Sequence, residues 1–107
     1  MANSEEFLRK VLEDLSPLGE VSAKNMFGGH GVFLDNAMFA LISRDTLYFK
    51  ADPENRAEFE NAGMKPYGKM PYYQTPPGSM KNSGRLIDLA RGAVAASRRG
   101  KKKKGKA

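Results

Sequence analysis

Residues 21–50 read VSAKNMFGGHGVFLDNAMFALISRDTLYFK, and the fold class turns on how this stretch is punctuated. Residues 21–27 read as a strand. Gly28-Gly29-His30-Gly31 reads as a break or sharp bend, because glycine adopts positive φ without steric cost. Extended structure resumes at residues 32–34. Asp35-Asn36 is a turn signal, residues 38–42 form a further strand, and Arg44-Asp45 makes another tight connection into residues 46–50. Connections this short join antiparallel neighbours, so the stretch predicts an antiparallel meander.

Upstream, Asn3 and Glu6 stand at capping-box spacing. Phe7, Leu8, Val11, Leu12 and Leu15 follow as one helical stripe that Pro17 and Gly19 stop. Downstream, Asp52-Pro53 predicts a second helix, with aspartate as cap and proline at the first helical position. Gly63 is placed to end it. Residues 65–67 and 72–75 read as two short strands, held to edge positions by Pro66, Pro71 and Pro76. Residues 76–83 form a loop. The last helix runs from Ser83 or Gly84 to Arg98, with Leu86, Ile87, Ala90, Ala93, Val94 and Ser97 on one face. Gly92 costs that helix about 1 kcal/mol against alanine and suggests a close backbone contact.

The order α-β-β-β-β-α-β-β-α predicts an α+β two-layer sandwich, an antiparallel sheet with helices on one face. Residues 32–34 and 38–42 are apolar on both strand faces. Helices on one side leave the other apolar and open, which predicts a homodimer through the uncovered sheet face.

The net charge of +6 is unevenly placed. Arg98, Arg99, Lys101, Lys102, Lys103, Lys104 and Lys106 supply seven positive charges with no acid among them, so the rest of the chain carries −1. The expected division is a folded domain over residues 1–97 and a disordered basic tail over 98–107. Those seven side chains are the candidate nucleic-acid contacts, weak and without sequence preference, because lysine offers point charges where base reading needs bidentate geometry. The chain has no cysteine, which excludes disulfides and thiolate metal sites and suits a cytoplasmic setting. The start Met1-Ala2-Asn3-Ser4-Glu5-Glu6 lacks the positive and apolar regions of a secretory signal. No stretch approaches the roughly 20 apolar residues of a membrane span.

Catalytic signals are weak. Gly28 to Gly31 lacks the Lys-Ser/Thr end of a phosphate loop and joins strands. An anion nest of backbone N–H groups is the alternative to a structural bend. His30, the single histidine, reads as a turn or packing residue. A zinc site around it would need carboxylates for its other ligands. Glu5, Glu6, Glu13, Asp14, Glu54, Glu58 and Glu60 suit solvated helix faces, and no pair is spaced for acid–base work. Tyr67, Tyr72 and Tyr73 read as packing or interface residues, with base stacking as the alternative. No catalytic residue, cofactor or metal ligand is expected.

Taken in order, Asn25-Met26-Phe27-Gly28-Gly29-His30-Gly31-Val32-Phe33, Met38-Phe39-Ala40-Leu41, Leu47-Tyr48-Phe49-Lys50, Asn55-Arg56-Ala57-Glu58-Phe59, Ala62-Gly63-Met64 and Met70-Pro71-Tyr72-Tyr73 resemble the N-terminal domain of the TfoX/Sxy family across residues 5–97. The resemblance implies a two-layer fold similar to secretion chaperones, with Met26, Phe27, Gly28, Gly29 and Gly31 as a structural motif. It implies a bacterial regulatory module without catalytic residues, associated with competence for DNA uptake and acting on transcription with a protein partner. The family's two-domain members carry a second helical domain where this chain has its lysine run. The alternative is a nucleic-acid-associated accessory protein that acts through that run. A small enzyme is the third reading.

Overall fold

The computed structural model describes residues 5–26, 29–76 and 78–106, with backbone alone for Ser83 and for 101–106. Five strands form one antiparallel sheet in sequential order: β1 (Val21–Met26), β2 (Gly29–Leu34), β3 (Ala37–Ser43), β4 (Thr46–Lys50) and β5 (Tyr72–Gln74). Helices α1 (Glu5–Asp14), α2 (Arg56–Asn61) and α3 (Ser83–Lys106) complete the α+β arrangement. The cap at Asn3 and the motif residues Phe27 and Gly28 lie outside the described residues.

The meander is tight because its turns are short. Leu34 pairs with Ala37 and Ser43 with Thr46. The central residues Asp35, Asn36, Arg44 and Asp45 all have positive φ, as primed hairpin turns require. Gly29 and Gly31 act differently from the bend expected of them. Both are strand residues of β2, paired with Met26 and Lys24, and neither is among the glycines with positive φ. What matters there is the missing Cβ. A methyl group at Gly29 would run into the carbonyl oxygen of Ile42, and one at Gly31 would come within 2.7 Å of Met26 Sδ.

A bulge between β2 and β3 decides which side chains enter the core. Val32 pairs with Ala40 but Phe33 pairs with Met38, so Phe39 is the extra residue. Phe39 and Ala40 both join the core, and Phe39 stacks on Phe49 with ring centroids 6.4 Å apart. Around them pack Val11 and Leu15, Val32 and Leu34, Ile42 and Leu47, and Leu86, Leu89, Ala90 and Ala93 from α3. α3 lies across β3 and β4, and α1 touches both α3 and β1. The stripe expected of α3 gains Leu89 and Ala96, while Ile87 is half-buried. Gly92 faces Asn55 at 3.7 Å, an ordinary contact for a Cβ rather than a forced one.

Three boundaries move. Asp52 heads a turn instead of capping a helix: its carboxylate accepts the Glu54 N–H at 3.0 Å, and α2 begins only at Arg56. The helix ends as expected at Gly63. There the Gly63 N–H reaches Glu60 O at 3.0 Å and the Met64 N–H reaches Phe59 O at 2.9 Å, a Schellman pair with glycine in its left-handed position. Residues 65–67 give one bridge, Pro66 to Tyr73, rather than a full strand, since proline brings no N–H to a ladder. At the end of the chain, α3 continues to Lys106, past the boundary expected at Arg98. Lysine is a good helix former, and cations favour a helix C-terminus.

Candidate interaction face

Register partners share a sheet face, so the pairings assign each outward side chain. One row runs Lys24, Gly31, Leu41, Tyr48 and Gln74. Beside it on one side lie Ser22, Phe33 and Met38, and on the other Met26 with Gly29, and Ser43 with Thr46. None of these residues belongs to the hydrophobic cluster under the helices. They form the open face; of its apolar members, Met26, Phe33, Met38 and Tyr48 are half-buried, and Leu41 is sealed beneath them.

Gly31 organises this face. Met38 Cε and Sδ both lie 3.1 Å from where its Cβ would be, next to Met26 Sδ. The two thioethers therefore fold over a glycine floor, and Leu41, next to that floor in the row, is fully buried. Thioether side chains are flexible and polarizable and repack readily against different partners. Two lysines bracket the methionines. Lys24 Nζ stands 5.2 Å above the Phe33 ring, and Lys50 Nζ stands 5.3 Å above the Tyr72 ring. The outward strand positions include no carboxylate.

The segment between α2 and β5 closes one end of the face. Tyr67 meets Tyr48 edge-on at 5.0 Å and shares a 3.3 Å hydrogen bond with Ser43 Oγ. Tyr72 is buried, which raises its hydroxyl pKa, and it donates to Met38 O at 3.4 Å. Tyr73 points the other way. It stacks on Phe59 at 5.8 Å and donates to Glu60 at 3.2 Å, and its pKa is raised by desolvation and then by that carboxylate. The three tyrosines thus serve as packing residues on two sides of the sheet.

His30 pairs with Asn25 and Ile42, so it belongs to the helix side, away from Gly29 and Gly31. Among the described residues, no three His, Asp or Glu side chains come together as a metal site would require. None of the helices searched there is long and apolar enough to cross a membrane.

Two of the expected nucleic-acid contacts are engaged inside the fold. Arg98 pairs with Asp35 at 3.1 Å. Arg99 grips Asp52 in a bidentate pair, Nε to Oδ2 at 2.5 Å and a terminal nitrogen to Oδ1 at 2.8 Å, with Glu54 at 3.3 Å. The Arg99 hydrogen bond is the main reason the Asp52 pKa falls to about 2; partial burial opposes it, and the Glu54 N–H assists. The Arg99 pKa is raised in turn. The side chains of Lys101, Lys102, Lys103, Lys104 and Lys106 lie outside the described residues. The arginine clamp escaped the sequence reading because its acids lie far away in the chain. The adjacent pair Arg98-Arg99, straight after an apolar helical stripe, was its signal.

A family model described as the TfoX N-terminal domain matches residues 13–97. The chain is also 40% identical over 48 residues to the DNA transformation protein TfoX1 of Aliivibrio fischeri (strain ATCC 700601 / ES114). That match covers 45% of this chain and 23% of the relative.

Proposed function

The chain belongs to the TfoX N-terminal domain family, and from that premise we propose that it is a non-catalytic regulatory module of DNA-uptake competence that binds a protein partner through its open sheet face. The observation that carries this reading is the methionine cover over Gly31, a pliant apolar surface between two lysines. The name of the Aliivibrio relative supports the link to DNA transformation. The action is on transcription, jointly with other factors, and a chain without cysteine suits a cytoplasmic site for it. The working unit in this reading is a homodimer, since among the described residues the single copy covers neither the outward sheet face nor the β1 edge with a further element.

The test is genetic. Deleting the coding sequence from its host is expected to lower the frequency of transformation by added DNA and the transcript levels of uptake genes. Returning the full chain restores both. Unchanged values in the deletion strain would contradict the competence assignment.

The basic run supports a second reading, an accessory protein that touches nucleic acid through its C-terminal lysines. Duplex binding that disappears when residues 100–107 are removed would favour it. Equal binding by both chains would exclude it.

A further inference from the structure

We infer that two copies of this chain pair through their β1 strands, antiparallel and centred on Ser22, to make one continuous sheet. This inference rests on the homodimer reading above and names its interface.

The two edges of the sheet are unequal. β5 is only Tyr72–Gln74, and its outer side is occupied: Pro66 bridges to Tyr73, the Tyr67 N–H donates to Tyr72 O at 2.7 Å, and the Gln74 N–H donates to Lys65 O at 3.3 Å. β1 is a six-residue strand that pairs with β2 alone among the described residues. An edge of that length is a template for another strand, although at its first residue the Val21 N–H already donates to Gly19 O at 3.0 Å and would exchange that acceptor on pairing.

Charge selects both the surface and the register. Packing two open faces together would bring Lys24 and Lys50 of both copies into one interface with no carboxylate at the outward strand positions. Edge pairing avoids this. With Ser22 opposite its own copy, Val21 meets Ala23 of the second chain, and Glu20, in the bend just before β1, comes beside Lys24 of the second chain, twice by symmetry. Glu20, Ser22 and Lys24 are all exposed. Lys24 is held by the face of Phe33 at 5.2 Å, a contact its flexible stem can exchange for a carboxylate. A register centred on Lys24 would set like charges opposite each other, which destabilises a strand pair. Pairing on Ser22 also leaves the two methionine-covered faces side by side on one surface.

The cysteine-free chain makes the test clean. Directly opposed Cβ atoms in such a pair lie about 4.5–5.5 Å apart, close to disulfide reach. Full-length Ser22→Cys is expected to form a covalent dimer on mild oxidation, and Met38→Cys, on the open face, is expected to stay single. Sedimentation of the unmodified chain should show a dimer. Glu20→Lys should weaken it at least tenfold, and Glu20→Lys combined with Lys24→Glu should recover it. A dimer that cross-links through Met38→Cys and not through Ser22→Cys would overturn the edge and leave the homodimer standing. Sedimentation as a monomer at high micromolar concentration would overturn both.

Discussion

Gly29 and Gly31 stand two residues apart in β2. Their spacing places both on one face of a strand, and it is the space they leave, not their φ, that the fold uses. The two should therefore respond differently to a methyl group. At Gly29 it meets the backbone carbonyl of Ile42, which cannot move alone, so Gly29→Ala is expected to cost about 1–3 kcal/mol as overpacking. At Gly31 it meets the ends of two flexible methionines, so Gly31→Ala should cost under about 1 kcal/mol and instead displace the cover of the open face. Urea unfolding of the two variants separates these outcomes. At Asp52 the sequence pointed to a helix cap, because Asp-Pro is a helix-start signal, and it could not reveal that Arg99 arrives from the far end of the chain. The folded carboxylate titrates at about 2, below its ordinary 3.8. Its contribution is therefore complete above about pH 4 and fades as pH falls through about 2. Solvent reaches both partners, so the contribution at neutral pH is about 1 kcal/mol. Thermal melts of Asp52→Asn between pH 2 and 7 should show that loss at neutral pH and little difference near pH 2.

The elements followed the sequence wherever local chemistry settles them. The meander, its two tight turns and the Gly63 stop depend on neighbours in the chain, and all three were readable. The Phe39 bulge was not, because a run apolar on both faces hides a change of phase. Residues 65–67 fall short of the strand expected of them, because Pro66 leaves only one bridge, to Tyr73. Arg44 holds a positive φ of 51° in the β3–β4 turn, which a side chain of its shape pays for in strain. Arg44→Asn keeps the turn and tolerates that conformation, so it should raise stability by a few tenths to about 1 kcal/mol. The end of α3 carries another consequence. A chain ending at residue 97 keeps every buried core residue and is expected to fold by circular dichroism. It lacks both arginine pairs, however, so it should melt below a chain ending at residue 99. Equal melting would show that the clamp adds nothing. Within that core, Leu86 is fully buried and its alanine variant should cost about 2–5 kcal/mol, whereas half-buried Phe7 should cost less.

At the scale of the whole molecule, the charge count of the chain exaggerates what is free to act. Two of the seven C-terminal cations are paired with Asp35 and Asp52, so at most five of the seven can act without breaking one of those pairs. Any binding to duplex should then follow log salt with a slope no steeper than about −4.5, five contacts at about −0.9 each. A steeper slope would mean that the arginines leave their carboxylates or that the folded surface takes part. The open face, by contrast, was legible in outline from strands apolar on both sides. Its methionine cover and its flanking lysines came only with the register. In the proposed function this surface, and not chemistry at a side chain, does the work. The most direct measurement compares transformation frequency in strains that carry His30→Ala or the open-face pair Met38→Ser with Tyr48→Ser, each checked for folding by its melting curve. Full transformation is expected with His30→Ala, and a defect as deep as the deletion with the open-face pair. Loss of transformation in His30→Ala with full activity in the open-face pair would contradict the proposed function.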